Sequence, residues 1–165
     1  MTSADDNREL IRRLYEALGR SDGEAMAGCY APNATFRDPV FGTLKGDQPG
    51  DMWRMLTGRS RDLKFELAEH EADQGTGRAR WIASYTFTPT KRSVVNEGRA
   101  EFRFADGKIV EHRDRFSMHR WASQALGPVG VLFGWSPPLV VGLRFRARKD
   151  LARFSRRRAE KESGN

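Results

Sequence analysis

The run CYAPNATFRDPVFG, Cys29 to Gly42, decides the fold. Pro32 removes a backbone donor and clashes with a preceding helical turn, so the apolar helical pattern of Ala25, Met26, Cys29 and Tyr30 is expected to stop before it. Beyond it Ala34, Phe36 and Asp38 alternate with Thr35 and Arg37, the period of a strand, and Pro39 favours extended backbone in the residue before it. Asp38 then shares a face with Phe36. Two readings of that carboxylate stand side by side. Partly desolvated at the inner end of a strand, it could shuttle protons; as an aspartate before a proline, it could form a turn by bonding its own backbone two residues on.

Upstream, Leu10, Ile11, Leu14 and Leu18 form the apolar stripe of a first helix, with Asp5 and Asp6 placed to cap it and Gly19 to end it. Ser21 and Glu24 have capping-box spacing for a short second helix. Downstream, Gly42 and Gly46 bracket a loop, and Asp47 caps a third helix with Trp53 and Leu56 on its buried side and Gly58 as its stop. From Asp62 the period drops to two. Leu63, Phe65 and Leu67 alternate with polar residues, then Ala79, Trp81, Ala83, Tyr85 and Phe87, then the runs 94–104 and 109–118. The linkers are too short for crossovers, so the strands should form an antiparallel meander. The fold class is therefore α+β: three N-terminal helices packed on a curved antiparallel sheet.

A chain of 165 residues supports one such unit, expected over 1–120, with 121–165 as a C-terminal extension. The single cysteine, Cys29, excludes an intramolecular disulfide, and MTSADDNREL carries no secretory pattern, so a cytoplasmic setting is expected. No His/Cys cluster has metal-ligand spacing, and no phosphate loop or nucleophile elbow is present; the expectation is no cofactor and no metal. His70 and His119 stand isolated.

If the Asp106-Gly107 turn closes the last hairpin, Gly98 is expected opposite Asp114, and Ala100 opposite His112. One face then carries Val94, Asn96, Gly98, Ala100 and Phe102 beside Val110, His112, Asp114 and Phe116. Small residues in the middle leave a hollow next to two ionisable groups, room for a small ligand. The other face, with Glu97, Arg99, Glu101, Arg103, Glu111, Arg113 and Arg115, is a mixed-charge ladder suited to solvent or a subunit interface.

With RRLYEAL, ATFRDPVFG and FRFADGKIVEHRDRF as its best local matches, the chain resembles the nuclear transport factor 2-like superfamily, in particular its SnoaL-like and ketosteroid isomerase-like branch, over residues 7–119. The resemblance implies a cystatin-like conical half-barrel, usually a homodimer, around a deep apolar pocket for a small apolar organic molecule. It implies isomerase, cyclase, dehydratase or epoxide hydrolase chemistry without a cofactor, or else a non-catalytic binding or scaffold role. Asp38 falls where ketosteroid isomerases keep a proton-shuttling aspartate. The isomerases' oxyanion-hole tyrosine falls on Leu14, with Tyr15 one position away and about 100° round the helix, and their protonated aspartate falls on Ala100. Asp114 falls near the acid/base aspartate of SnoaL-like cyclases, with His112 two residues earlier as a partner. The catalytic candidates are thus Asp38, His112 and Asp114, although His112 and Asp114 could equally form a structural pair. The expected pocket lining is Tyr15, Phe36 and Trp53 from one side, and Trp81, Ala83, Tyr85, Asn96, Gly98, Ala100 and Phe116 from the sheet.

Past Met118, the stretch 121–143 holds no charged residue, but Pro128, Pro137 and Pro138 with Gly127, Gly130 and Gly134 argue against a continuous membrane span. It should pack over the pocket mouth, sit at a subunit interface, or insert at a bilayer surface. The body is nearly neutral, while residues 139–165 hold nine Lys/Arg against three Asp/Glu. A helix of that composition suits peripheral docking on an anionic membrane, or it is a solvated helix whose basic stems cover the domain flank. Without stacking aromatics it offers nucleic acid no specific contact.

Overall fold

The computed structural model describes residues 2–164. Helix α1, Ala4–Gly19, starts at Ser3, whose hydroxyl accepts from the Asp6 amide while the Asp6 carboxylate accepts from the Ser3 amide. The cap is therefore Ser3, with Asp6 completing its box, where Asp5 and Asp6 were expected. α2, Gly23–Ala27, is capped by Asp22, whose carboxylate accepts from the Ala25 amide; Ser21, at φ 56, lies outside the helix and cannot act as the expected cap.

Strand β1 runs Tyr30–Asp38, which corrects the expected helix end: α2 stops at Ala27, and Pro32 lies inside the strand. The missing Pro32 amide shows as a shift in pairing between Tyr30 and Thr35. β2, Gly42–Lys45, folds back on β1, and α3, Gln48–Arg59, follows. Then come β3 (Lys64–Ala72), β4 (Thr76–Phe87), β5 (Arg92–Ala105) and β6 (Lys108–Arg115).

The strand order is β2-β1-β6-β5-β4-β3, a curved six-stranded sheet with helices packed against it. The β3–β6 meander is antiparallel as expected, but β1 pairs parallel to β6. Everything from β2 to β5 serves as the long crossover that a parallel pair requires. Asp106 (φ 51) and Gly107 (φ 75) close the β5–β6 hairpin as a two-residue turn with both positions left-handed. A shift between Arg103 and Phe104 follows, so Ala100 meets Asp114 and Phe102 meets His112. The expected register was off by two residues. A slip of two preserves the face, so both side chains still point inward.

The core is the α1 stripe, with Met26, Phe36, Leu44, Met52 and Phe102, closed between helices and sheet. On the outer face Arg80–Glu97, Arg103–Glu111 and Arg115–Glu101 form ion pairs. The C-terminal segment forms three helices: α4, Met118–Leu126, α5, Pro128–Phe133, and α6, Pro137–Ser163. α4 buries Trp121, Ala122 and Ala125 against Val94, with the Trp121 indole donating to the Tyr85 hydroxyl. No helix among the described residues is long and apolar enough to cross a membrane.

α6 is fastened to the body through Asp51 of α3. This carboxylate, 2% exposed, pairs with Arg54 at 3.0 Å and Arg158 at 2.6 Å and accepts from the Ser155 hydroxyl at 2.6 Å. Arg148 reaches the carbonyls of Phe41 and Thr43, and Arg144 that of Pro39. Leu151 fills the joint. Replacing Asp51 removes the buried anion that two guanidinium groups share, leaving each with one exposed glutamate, Glu24 for Arg54 and Glu162 for Arg158; breaking a fully buried pair costs about 3–5 kcal/mol. Both arginines keep some solvent, so the expectation for Asp51→Ala is a loss of about 2 kcal/mol in urea denaturation, with hydrogen-exchange protection falling first over 151–158. Unchanged protection there would show that α6 is held by something other than this carboxylate.

Candidate active site

The interior chemistry begins at strand β6, where alternation sends His112 and Asp114 to the helix-covered side. His112 is 1% exposed and Asp114 8%. His112 Nε2 lies 3.0 Å from Asp114 Oδ1, and its Nδ1 lies 2.7 Å from the Tyr30 hydroxyl. The Trp53 indole donates to the Tyr30 oxygen at 2.8 Å, and the Trp81 indole donates to Asp114 Oδ1 at 3.1 Å.

Counting hydrogens orders this line. An indole nitrogen can only donate, so Tyr30 accepts from Trp53 and has one hydrogen left, for which His112 Nδ1 is the available acceptor. His112 therefore carries its hydrogen on Nε2 and gives it to Asp114. The line reads Trp53 to Tyr30 to His112 to Asp114, with Trp81 closing it from the other end. Phe102 and Phe36 pack on the imidazole at centroid distances of 4.4 and 4.9 Å.

Both protein donors to Asp114 converge on Oδ1; among the described residues none donates to Oδ2. Tyr15 faces the same interior. Its ring stacks on Phe65 at 4.9 Å, and Phe65 stacks in turn on Trp81. Its hydroxyl is fully buried and has no hydrogen-bond partner among the described residues. Burial, then the nearby Asp114 charge, push the Tyr15 hydroxyl well above its usual range. Asn96, 9% exposed on β5, also hydrogen-bonds through its side chain to no described residue.

Asp38 stands at the rim, half-buried. Its carboxylate accepts from the Phe41 amide, so it does build the turn, and it is also desolvated. Burial raises it to about 7; the Phe41 amide works against this, and the Asp114 charge adds to the rise. It is within reach of the Asp114 field, with no hydrogen bond to His112 or Asp114.

The expected lining divides. Phe36, Trp53, Trp81, Ala83 and Ala100 are buried around the line. Tyr85 and Phe116 lie half-buried toward α4, and the Tyr85 hydroxyl is engaged by Trp121. Gly98 is covered: a Cβ there would stand 2.3 Å from Trp81 Cζ2, so the hollow expected over Gly98 holds the Trp81 indole. Two surface grooves, of about 280 and 550 Å³, lie elsewhere, beside Cys29 and between α3 and α6. Tyr30, which the sequence pattern places at a helix end, is the site residue missing from the expected set. Its even number puts it in step with Ala34, Phe36 and Asp38, and carrying the alternation back through Pro32 would have placed it on the inner face.

The comparisons agree with this architecture. The SnoaL-like domain model matches residues 11–112. Among solved structures, a candidate polyketide cyclase from Xanthomonas campestris pv. campestris has a TM-score of 0.64 at 19% identity, covering 75% of this chain and 99% of that one. An LEH-like epoxide hydrolase from M. tuberculosis has a TM-score of 0.64 at 16% identity, covering 78% and 96%. A ketosteroid isomerase-like fold protein from Catenulispora acidiphila, in complex with trimethylamine, has a TM-score of 0.64 at 14% identity, covering 78% and 98%. At these identities the likeness is one of fold. Among curated proteins none matches the chain.

Asp38 gives the site a pH signature. Its carboxyl ionises near 3.8 when free and near 7 when folded. As pH rises between these values the unfolded chain releases the proton first, so stability is lost through that window. Asp38→Asn does not titrate, so it should gain on the wild type between pH 4.5 and 8 by on the order of 2 kcal/mol, after discounting for the half-exposed rim. Denaturation curves at the two pH values measure this. A constant difference would mean that Asp38 ionises as freely as a surface carboxylate.

Proposed function

The chain belongs to the SnoaL-like domain family, and on that premise we propose that it encloses a small, largely apolar, oxygen-bearing organic molecule between sheet and helices and moves a proton on it without a cofactor. Asp114 is the acid/base, acting through Oδ2. His112 holds the other oxygen through Nε2 and is itself fixed by Tyr30 and Trp53, so the carboxylate has one orientation. The Tyr15 hydroxyl donates to the ligand oxygen on which negative charge develops, the role an oxyanion hole fills. Asp38, still protonated up to about pH 7, is a second acid or polar anchor at the rim. Isomerisation, aldol cyclisation, dehydration and epoxide opening all need a proton moved at carbon or oxygen, and this set supplies it. In this reading the working unit is a cytoplasmic homodimer paired through the outer sheet face.

The observation that carries the proposal is a complementary pair left open in one interior: an acceptor, Asp114 Oδ2, and a donor, the buried Tyr15 hydroxyl with no partner. Buried polar groups are almost always paired, so the Tyr15 hydroxyl lacks a partner that a basic oxygen of the ligand would supply, and an acidic site on the same ligand would donate to Asp114 Oδ2.

A second reading has its own support. The Trp81 indole occupies the space over Gly98, as in a protein that binds or scaffolds without turnover. Deuterium exchange separates the two. A panel of small ketones, enones and epoxides is incubated with the full chain in D2O and followed by NMR. The catalytic reading expects solvent deuterium at the carbon next to the carbonyl, or opening of the epoxide. It also expects Asp114→Asn to slow this by about a hundredfold or more while ligand-induced thermal stabilisation persists. Stabilisation of the wild type by a ligand with neither exchange nor turnover would leave the binding role alone.

A further inference from the structure

α5 is packed the wrong way round for a helix of a water-surrounded protein. It meets α4 through glycine: a Cβ at Gly130 would stand 1.8 Å from the Ala122 carbonyl oxygen, so the backbones touch. Its large side chains point outward. Val129 is 54% exposed, Leu132 62%, Phe133 53%, and Trp135 just beyond it 70%. A contiguous apolar patch of this kind marks a surface that meets something.

The tip also has its polar atoms satisfied from within. The Trp135 indole donates to the Leu132 carbonyl at 2.9 Å, and the Ser136 hydroxyl to the Phe133 carbonyl at 2.7 Å. An indole that needs no water can enter an apolar medium without leaving a donor unpaired.

α6, the next element in the chain, adds charge. At 100° per residue Val141, Phe145, Lys149, Arg153 and Arg156 fall within about 120° of arc, centred about 130° from the packed side at Leu151, Ser155 and Arg158. The ion pairs of α6 use Asp150, Arg158 and Glu162; among the described residues Arg146, Lys149, Arg153, Arg156, Arg157 and Lys161 pair with no acid, and all are exposed.

From the outward apolar tip and the unpaired cationic face that follows it in the chain, we propose that the C-terminal helices dock the protein on an anionic bilayer surface, α5 with Trp135 entering the headgroup boundary and α6 lying along the lipid phosphates. A second copy of this chain is a poor occupant, because its own cations would face these. A nucleic acid would leave the apolar tip in water. The proposal is independent of whether the interior performs any turnover.

The test uses the full chain with vesicles of phosphatidylcholine alone, and of phosphatidylcholine with one third phosphatidylglycerol. The protein is expected to co-sediment with the anionic vesicles at low salt and to be released at about 0.5 M salt, where the screening length falls to a few ångströms. Each cation near such a surface is worth roughly fivefold in partition, so Arg153→Glu with Arg156→Glu should weaken binding at least about tenfold and flatten the salt dependence. Leu132→Asn with Trp135→Ser should weaken it comparably and abolish the blue shift in tryptophan emission on vesicles. All four positions are exposed, and thermal unfolding of each variant verifies the fold. Four results would each overturn the proposal: no binding to anionic vesicles, binding indifferent to both variants, a solution dimer that Leu132→Asn breaks while vesicles go unbound, or retardation of an oligonucleotide without vesicle binding.

Discussion

The arrangement depends on one requirement: an imidazole and a carboxylate buried together must find partners for every polar atom or give up folding free energy. His112 meets it at both ring nitrogens and Asp114 at Oδ1, with aromatic residues drawn from three other elements, Tyr30 from β1, Trp53 from α3 and Trp81 from β4. Each partner brings a large apolar ring along with a single polar atom, so the same side chains satisfy the hydrogen bonds and pack the core. The line also ties the parallel β1–β6 pair to α3. The least regular part of the sheet is thereby held by side chains as well as by its ladder.

How far such a site can be read from sequence depends on the period that carries each residue. Alternation in β5 and β6 placed His112 and Asp114 on the inner face, and this survived a register error because the error was an even number of residues. Half of the error lies in the turn, which pairs Ala105 with Lys108, and half in the shift between Arg103 and Phe104, a local irregularity that turn chemistry does not announce. Tyr30 was lost to a different cause. In sequence Pro32 has the character of a boundary between helix and strand, whereas the strand tolerates it by shifting its pairing with β6. Tyr15 lay one position from the residue that family likeness pointed to. The buried face of α1 is wide enough to take Leu14 and Tyr15 together, so a step of about 100° did not carry the hydroxyl out of the interior.

The C-terminal segment was legible in composition and illegible in arrangement. Its apolar stretch does three things: α4 buries Trp121 against the sheet, α5 presents its side chains to solvent, and the start of α6 joins the basic face. The inner side of α6 depends on Asp51, more than a hundred positions before Ser155 in the chain. Nothing in the local pattern around GDQPGDMW marks that aspartate as different from Asp47, which stays on the surface side of the same helix start. Only the three-dimensional approach of Arg158 and Ser155 distinguishes them.

Gly98 carries the same lesson into the site itself. Small residues in the middle of a sheet read as room for a ligand, and here the room is taken by a neighbour on the adjacent strand. Trp81 and Gly98 are cross-strand partners, and the glycine lets the indole lie flat enough for its N–H to reach Asp114. The side chain that closes the hollow is thus the one that fixes Oδ1 of the carboxylate. On the proposed reading a ligand would meet the other oxygen, Oδ2, to which no described residue donates. What Gly98 contributes to the site is therefore the direction in which the Asp114 carboxylate points.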